Sequence, residues 1–203
     1  MKNIRTVIFD LGGVLFNIDF SLTEKAFNGL GVKDFSSFFT QFHSNSLFIK
    51  LETGVDEDSF YDDFRHAAGV NLSNEQIKDA WNALLLDFRK ESIAALPALR
   101  NKYKLYLLSN TNEIHLHEFQ RKFKEEFQQA SFDDLFDAAY YSHRIGYRKP
   151  NASAFEFVLE KHQLTAGETL FIDDSIHNIE AAQKLGIQTV HLLPGMNIEN
   201  LGL

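Results

Sequence analysis

The sequence predicts an α/β protein built on a doubly wound parallel sheet, and three observations predict it. Short apolar runs without helical spacing recur between amphipathic stretches, as at Val7 to Phe9, Leu105 to Leu108 and Leu170 to Ile172. Three of these runs stop at polar residues, namely Asp10, Ser109-Asn110 and Asp173-Asp174. Strands that alternate with helices imply right-handed crossovers, which bring the carboxyl ends of the strands to one edge of the sheet.

The first strand lies in TVIFDLGGVL, Thr6 to Leu15. Its β-branched and aromatic residues suit a strand buried on both faces, and Asp10 falls at its carboxyl end, where open α/β sheets bind ligands. Gly12 and Gly13 let a ligand or metal approach the main chain closely. Read alone, the segment fits an ordinary Asp-x-Gly turn equally well. From Asp19 to Arg89 no convincing strand follows, but apolar residues recur at three- and four-residue spacing, which predicts an inserted helical unit. Leu22, Ala26 and Leu30 fit one helix, and Phe35, Phe38, Phe39 and Phe42 fit a second with Asp34 as N-cap. Phe48 to Glu52, Asp58 to Ala67 and Ser73 to Phe88 continue the series, the last opening on the capping-box pattern Ser73-Asn74-Glu75-Gln76. Many of the 20 Phe residues fall in this unit, where such a stripe reads as core.

Beyond Lys104 the strands resume. Leu105 to Asn110 is the second, a helix over Glu113 to Gln129 follows, and Asp137 to Ser142 is the third strand. A helix over Ala152 to His162 follows Pro150, a residue tolerated in a first turn. Thr169 to Asp173 is the fourth strand, Ser175 to Leu185 a helix ended by Gly186, and Gln188 to Leu192 the fifth strand. The expected domains are a core of residues 1–15 and 91–203 and a cap of residues 16–90.

With 203 residues the chain holds one core of ordinary domain size and a smaller appended unit. A net charge of -8, from 20 basic and 28 acidic residues, argues against nucleic acid or an anionic membrane as the main partner. The absence of Cys excludes disulfides, a thiolate metal site and a cysteine nucleophile. No apolar stretch approaches membrane-span length and the first breaks at Asp10, so the chain reads as cytoplasmic.

If the strands are parallel, up to three carboxylates converge on one edge. Two such charges about 4 Å apart repel by roughly 4 kcal/mol at an effective dielectric near 20, so a cation is implied. Carboxylates without Cys or a His pair suit a hard oxygen-seeking ion, magnesium before zinc. For Asp173 and Asp174 a helix N-cap is the alternative reading.

Four motifs in order carry a resemblance: Asp10-Leu11-Gly12-Gly13-Val14, Ser109-Asn110-Thr111, Lys149-Pro150, and Asp173-Asp174 with Asn178. Together they resemble the haloacid dehalogenase superfamily of aspartyl-nucleophile hydrolases over nearly the whole chain. FDLGGVL, LSNTN, RKP and IDDSIHNI are most similar to its small sugar-phosphate phosphatases of the alpha-glucose-1-phosphate phosphatase type. The resemblance implies a Rossmann-like three-layer fold with sheet order 5-4-1-2-3 and a small all-α cap. It also implies a magnesium-dependent phosphatase of a small phosphomonoester, working as a monomer or weak homodimer.

By the same resemblance, Asp10 is the nucleophile and Lys149 the cation that pairs with it and with phosphate. Ser109 and the Asn110 backbone bind phosphate oxygens. Asp10, the Gly12 main-chain oxygen and Asp174 hold magnesium, with Asp173 and Asn178 in water-mediated or supporting parts. One departure stands out: the family's phosphatases usually carry a second Asp, a general acid and base, where this chain has Gly12. Two alternatives follow, a carbon–halogen hydrolase, which needs neither that Asp nor a metal, and a non-catalytic phosphate-ligand binding protein. His43 and Glu52 of the cap are candidates to replace the acid, or ordinary polar cap residues. Arg144 and Arg148 read either as positive charge at the site mouth or as a solvated face.

Overall fold

Alternating burial along the strands decides how the layers stack. The structure, a computed structural model, describes residues 3–43 and 47–203, the side chains of 40–43 excepted. Its strands are β1 (Thr6–Phe9), β2 (Phe16–Ile18), β3 (Leu85–Phe88), β4 (Lys104–Ser109), β5 (Ala138–Tyr141), β6 (Thr169–Asp173) and β7 (Gln188–His191). Its helices are α1 (Phe20–Gly29), α2 (Phe35–His43), α3 (Leu47–Leu51), α4 (Glu57–Ala68), α5 (Asn74–Asn82), α6 (Lys90–Arg100), α7 (Glu113–Phe127), α8 (Ser142–Ile145), α9 (Ala152–Lys161) and α10 (Ile176–Lys184). Five strands form a parallel sheet in the order β5-β4-β1-β6-β7. Counting those five along the chain, this is the expected 5-4-1-2-3, with β1 at the centre.

Because side chains alternate across a strand, β1 feeds two cores at once. Val7 and Phe9 join Leu105, Leu107 and Ile172 on one face, where Leu96, Phe119 and Phe123 of α6 and α7 cover them. Ile8 joins Tyr106, Leu108 and Phe171 on the other, under Phe155 and Val158 of α9 and Ile179 of α10. With both faces covered, all four residues of β1 are buried, as its unbroken apolar run requires.

The inserted helices α1 to α5 have their own apolar cluster, in which Phe27, Phe48, Phe60, Phe64 and Trp81 pack and to which α7 contributes Ile114. The capping box at Ser73 and Gln76 forms as the spacing predicts. Asp34 also accepts a bond from the Ser37 backbone, at 3.3 Å.

Three expectations need correction. The predicted helix over Ser73 to Phe88 ends at Asn82, and Leu85–Phe88 is a strand paired antiparallel with β2. No Gly or Pro marks that change, and the stop comes from long-range pairing: Asp19 N donates to Leu84 O and Arg89 N to Leu15 O, each at 2.9 Å. Helix α6 was not foreseen, because Pro97 lies inside it, yet Ile93, Leu96 and Leu99 bury one face and outweigh the missing donor. Pro150 stands outside α9, whose N-cap is Asn151. No described helix is long and apolar enough to cross a membrane.

Candidate active site

The register sets the site. Phe9 pairs with Leu107 on one side and Ile172 on the other, so the three central strands run out together. Asp10 N still donates to Ile172 O at 2.9 Å, which holds the aspartate one step past the strand and beside Asp173. One carboxylate oxygen each from Asp10, Asp173 and Asp174 lie within 4.8 Å of one another.

Lys149 reaches into this group from the loop between α8 and α9. Its side chain is 1% exposed, and its ammonium lies 2.8 Å from Asp10 Oδ1 and 2.7 Å from Asp173 Oδ2. A buried ammonium is tolerated only where it is paired, and here it has two carboxylates. The Asn110 side chain fixes the backbone of Lys149: Nδ2 donates to Lys149 O at 2.8 Å and Oδ1 accepts from Lys149 N at 2.9 Å. The Asn110 side chain is thus committed to holding the Lys149 main chain.

Asp173 is wholly buried. Beyond Lys149, it accepts from Ser175 N at 2.7 Å and, through both oxygens, from Asn178 Nδ2 at 3.0 Å. Both oxygens are engaged, so it anchors Lys149 and the start of α10. Asp174 is exposed, at the mouth. Gly13 adopts φ +70, and a Cβ there would stand 2.1 Å from Asp174 Oδ2. The absence of a side chain at Gly13 is what lets that carboxylate face the Asp10 loop.

Three acids facing one ammonium leave the group strongly negative. Burial, then the charge of Asp173, pushes the Asp10 carboxyl up to about 7, although Lys149 opposes the change. Partial desolvation of its carboxyl, then the charge of Asp173, raises Asp174 as well, although the residue is exposed. Burial alone would lower Lys149, but Asp10 and Asp173 outweigh it and hold the ammonium above its ordinary value. The donors are all oxygens and the excess charge is negative, a set that fits a hard divalent cation such as magnesium.

A cavity of about 180 Å³ adjoins the site, bordered by Gly12, Ser109 and Asn110 and by Phe39, Glu52 and Trp81 of the inserted helices. Glu52 therefore comes near the loops, but its carboxylate accepts a 2.8 Å bond from Arg148 Nε. Arg148 thus ties the inserted unit to the loop that carries Lys149, and Arg144 pairs with Glu113. The side chain of His43 lies outside the described residues. At Gly12 an added Cβ would meet Ile18 Cδ1 at 3.1 Å, a tight fit for any larger residue. Sequence reading missed Trp81 and His115 on the cavity wall and Arg89 beside Asp174. Trp81 sits in an apolar helical stripe and His115 in the first turn of α7, so neither carried a separate signal.

Comparison with known proteins adds four likenesses. A family model described as haloacid dehalogenase-like hydrolase matches residues 4–186. The D-ribitol-5-phosphate phosphatase of Bacteroides thetaiotaomicron is 31% identical, over 92% of this chain and 90% of that one. The sesquiterpene phosphatase astK of Aspergillus oryzae is 29% identical, over 93% of this chain and 89% of its own length. Among solved structures, a haloacid dehalogenase family enzyme of Bacteroides thetaiotaomicron in complex with magnesium and inorganic phosphate superposes with a TM-score of 0.89. That structure is 33% identical and covers 98% of this chain and 100% of its own.

Proposed function

The chain belongs to the haloacid dehalogenase-like hydrolases, and on that premise we propose that it hydrolyses a small phosphomonoester, of the sugar-phosphate kind, with magnesium. The observation that carries this reading is the buried Lys149 ammonium bridging Asp10 and Asp173 while Asp174 stands beside them outside that bridge. Carbon–halogen hydrolysis has no use for that excess of carboxylates. A dianionic phosphate brought to them needs cations, and one lysine does not suffice.

Asp10 is the nucleophile. Its oxygen attacks phosphorus, the bond to the leaving alkoxide breaks, and the resulting aspartyl phosphate is then hydrolysed, which divides one hard displacement into two easier ones. Lys149, fixed by Asp173 and by the Asn110 side chain, presents its ammonium to Asp10 and to the charge that builds on the phosphoryl oxygens. Ser109 and the main chain of Asn110 receive the remaining oxygens. Asp10, Asp174 and the Gly12 carbonyl would hold magnesium, with Asp173 and Asn178 supporting that set from behind. When bound, the ion neutralises phosphate charge and orients it for in-line attack. The helices between β2 and β3 act as a cap over the site, and the small cavity beneath them receives the leaving group.

The test is a screen of phosphomonoesters with and without magnesium, repeated with Asp10→Asn. Magnesium-dependent release of inorganic phosphate is expected, with turnover abolished in a variant that still folds. If Asp10→Asn retains a tenth of wild-type turnover, once deamidation is excluded by mass spectrometry, the nucleophile assignment is wrong.

A further inference from the structure

The turn after α3 lies midway through the inserted helices, yet it is docked on the segment that leads to Lys149. Glu52 and Arg148 form a 2.8 Å ion pair, with side chains only 18% and 19% exposed. Two residues on, Gly54 adopts φ +111, and a Cβ there would stand 2.9 Å from the main-chain oxygen of His143 in α8. The two backbones meet so closely that only glycine fits. The insertion is thus seated on residues 142–150 at two points. Glu52 also borders the cavity beside Asp10, but its Oε2 is spent on Arg148 Nε. Lys149 itself is gripped by the Asn110 side chain at two main-chain atoms, N and O. Two points fix an axis and leave rotation about it; a third, on the residue before, removes that rotation. The restraint matters most when the ammonium exchanges its bond to Asp10 for one to phosphate and its loop must keep it in place.

We infer that Glu52 is a positioning residue for Lys149: through Arg148 it holds the loop from which the ammonium reaches the phosphate site. This inference rests on the phosphatase reading, and concerns what aims the cation in that site. Glu52 then acts on neither the leaving group nor the proton that group takes. Its effect should extend to inorganic phosphate, which has no leaving group, and should fall alike on esters with good and poor leaving groups. A general acid does neither, because its contribution is confined to the departing alkoxide.

The experiment titrates inorganic phosphate into the protein with magnesium, by calorimetry, and measures kcat and KM for 1-pentyl phosphate and p-nitrophenyl phosphate. It compares wild type, Glu52→Ala, Arg148→Ala and the double variant at a temperature where circular dichroism shows each folded. Each single variant should weaken phosphate binding and lower kcat by about tenfold, since a misplacement of about 1 Å costs up to about a hundredfold. Both esters should lose alike. The double variant should be no worse than the poorer single one, because both changes remove the same bond. Glu52→Gln, which keeps an acceptor of the same shape, should recover most of the loss, and it stands in with Arg148→Ala if Glu52→Ala does not fold. Phosphate affinity within about twofold of wild type in Arg148→Ala, losses that multiply in the double variant, or a loss in Glu52→Gln confined to pentyl phosphate would each overturn the inference. Wild-type turnover with unaltered phosphate binding in the variants would defeat only this inference; a wild type that neither binds phosphate nor turns over any ester would defeat the phosphatase reading and this inference with it.

Discussion

Replacing Asp10 by Asn tests the electrostatics of the site apart from its chemistry. In the metal-free protein the Asp10 carboxyl titrates near 7 against an ordinary 3.8, because burial and the neighbouring Asp173 and Asp174 outweigh Lys149. The folded-state value lies above the unfolded one, so the native state keeps its proton longer. The contribution of Asp10 to stability is therefore fully present below about pH 4 and is lost as pH rises through 7. A shift of about three units corresponds to roughly 4 kcal/mol. An amide cannot ionise and escapes that loss. Urea unfolding in EDTA, from pH 4.5 to 8.5, should show Asp10→Asn gaining on wild type by up to about 4 kcal/mol, mostly below pH 7 and level above it. For a chain of this size that is a relative rise in Tm of roughly 8 to 16 °C at the alkaline end. Magnesium should narrow the gap, since it stabilises only the form with ionised carboxylates. A difference between the two proteins that stays constant within about 1 kcal/mol across the range would refute the reasoning.

Two further outcomes follow from the same group. Lys149→Met leaves Asp10 and Asp173 facing each other with no cation between them, and should cost about 3 to 5 kcal/mol by urea unfolding and at least a hundredfold in turnover; a variant within 1 kcal/mol of wild type would show the pair to be dispensable. Gly13→Ala puts a methyl 2.1 Å from Asp174 Oδ2, and should raise the magnesium concentration for half-maximal activity about tenfold or more on top of roughly 1 to 2 kcal/mol of backbone strain, whereas Gly69→Ala, at φ +64 with open space around it, should show the strain alone.

The parts legible in the sequence were those written locally. Three strands of the sheet are apolar runs cut off by polar residues, and the parallel topology that such runs imply brings Asp10, Ser109, Asn110, Asp173 and Asp174 to one edge. The small antiparallel pair escaped because Leu84, Leu85 and Phe88 continue the three- and four-residue spacing of Ile77, Ala80 and Trp81 in the helix before, and only pairing with Phe16 to Ile18, some 70 residues earlier, decides otherwise. Arg148 and Glu52 were each noticed, but their bond spans 96 positions and neither residue announces the other. Trp81 is one aromatic among many in a helical stripe, and its position on the cavity wall becomes visible only once its neighbours are in place.

Asn110 gives the site a property of another kind. Its side chain meets the main chain of Lys149 with one donor and one acceptor, much as a neighbouring strand would, so two loops 39 residues apart are joined as if by a rung of sheet. The loop proposed to bind phosphate and the loop that carries the Lys149 ammonium are thereby ordered together when the chain folds. The entropy of holding a long, flexible lysine in place is then spent once, during folding, and is not charged again to each turnover.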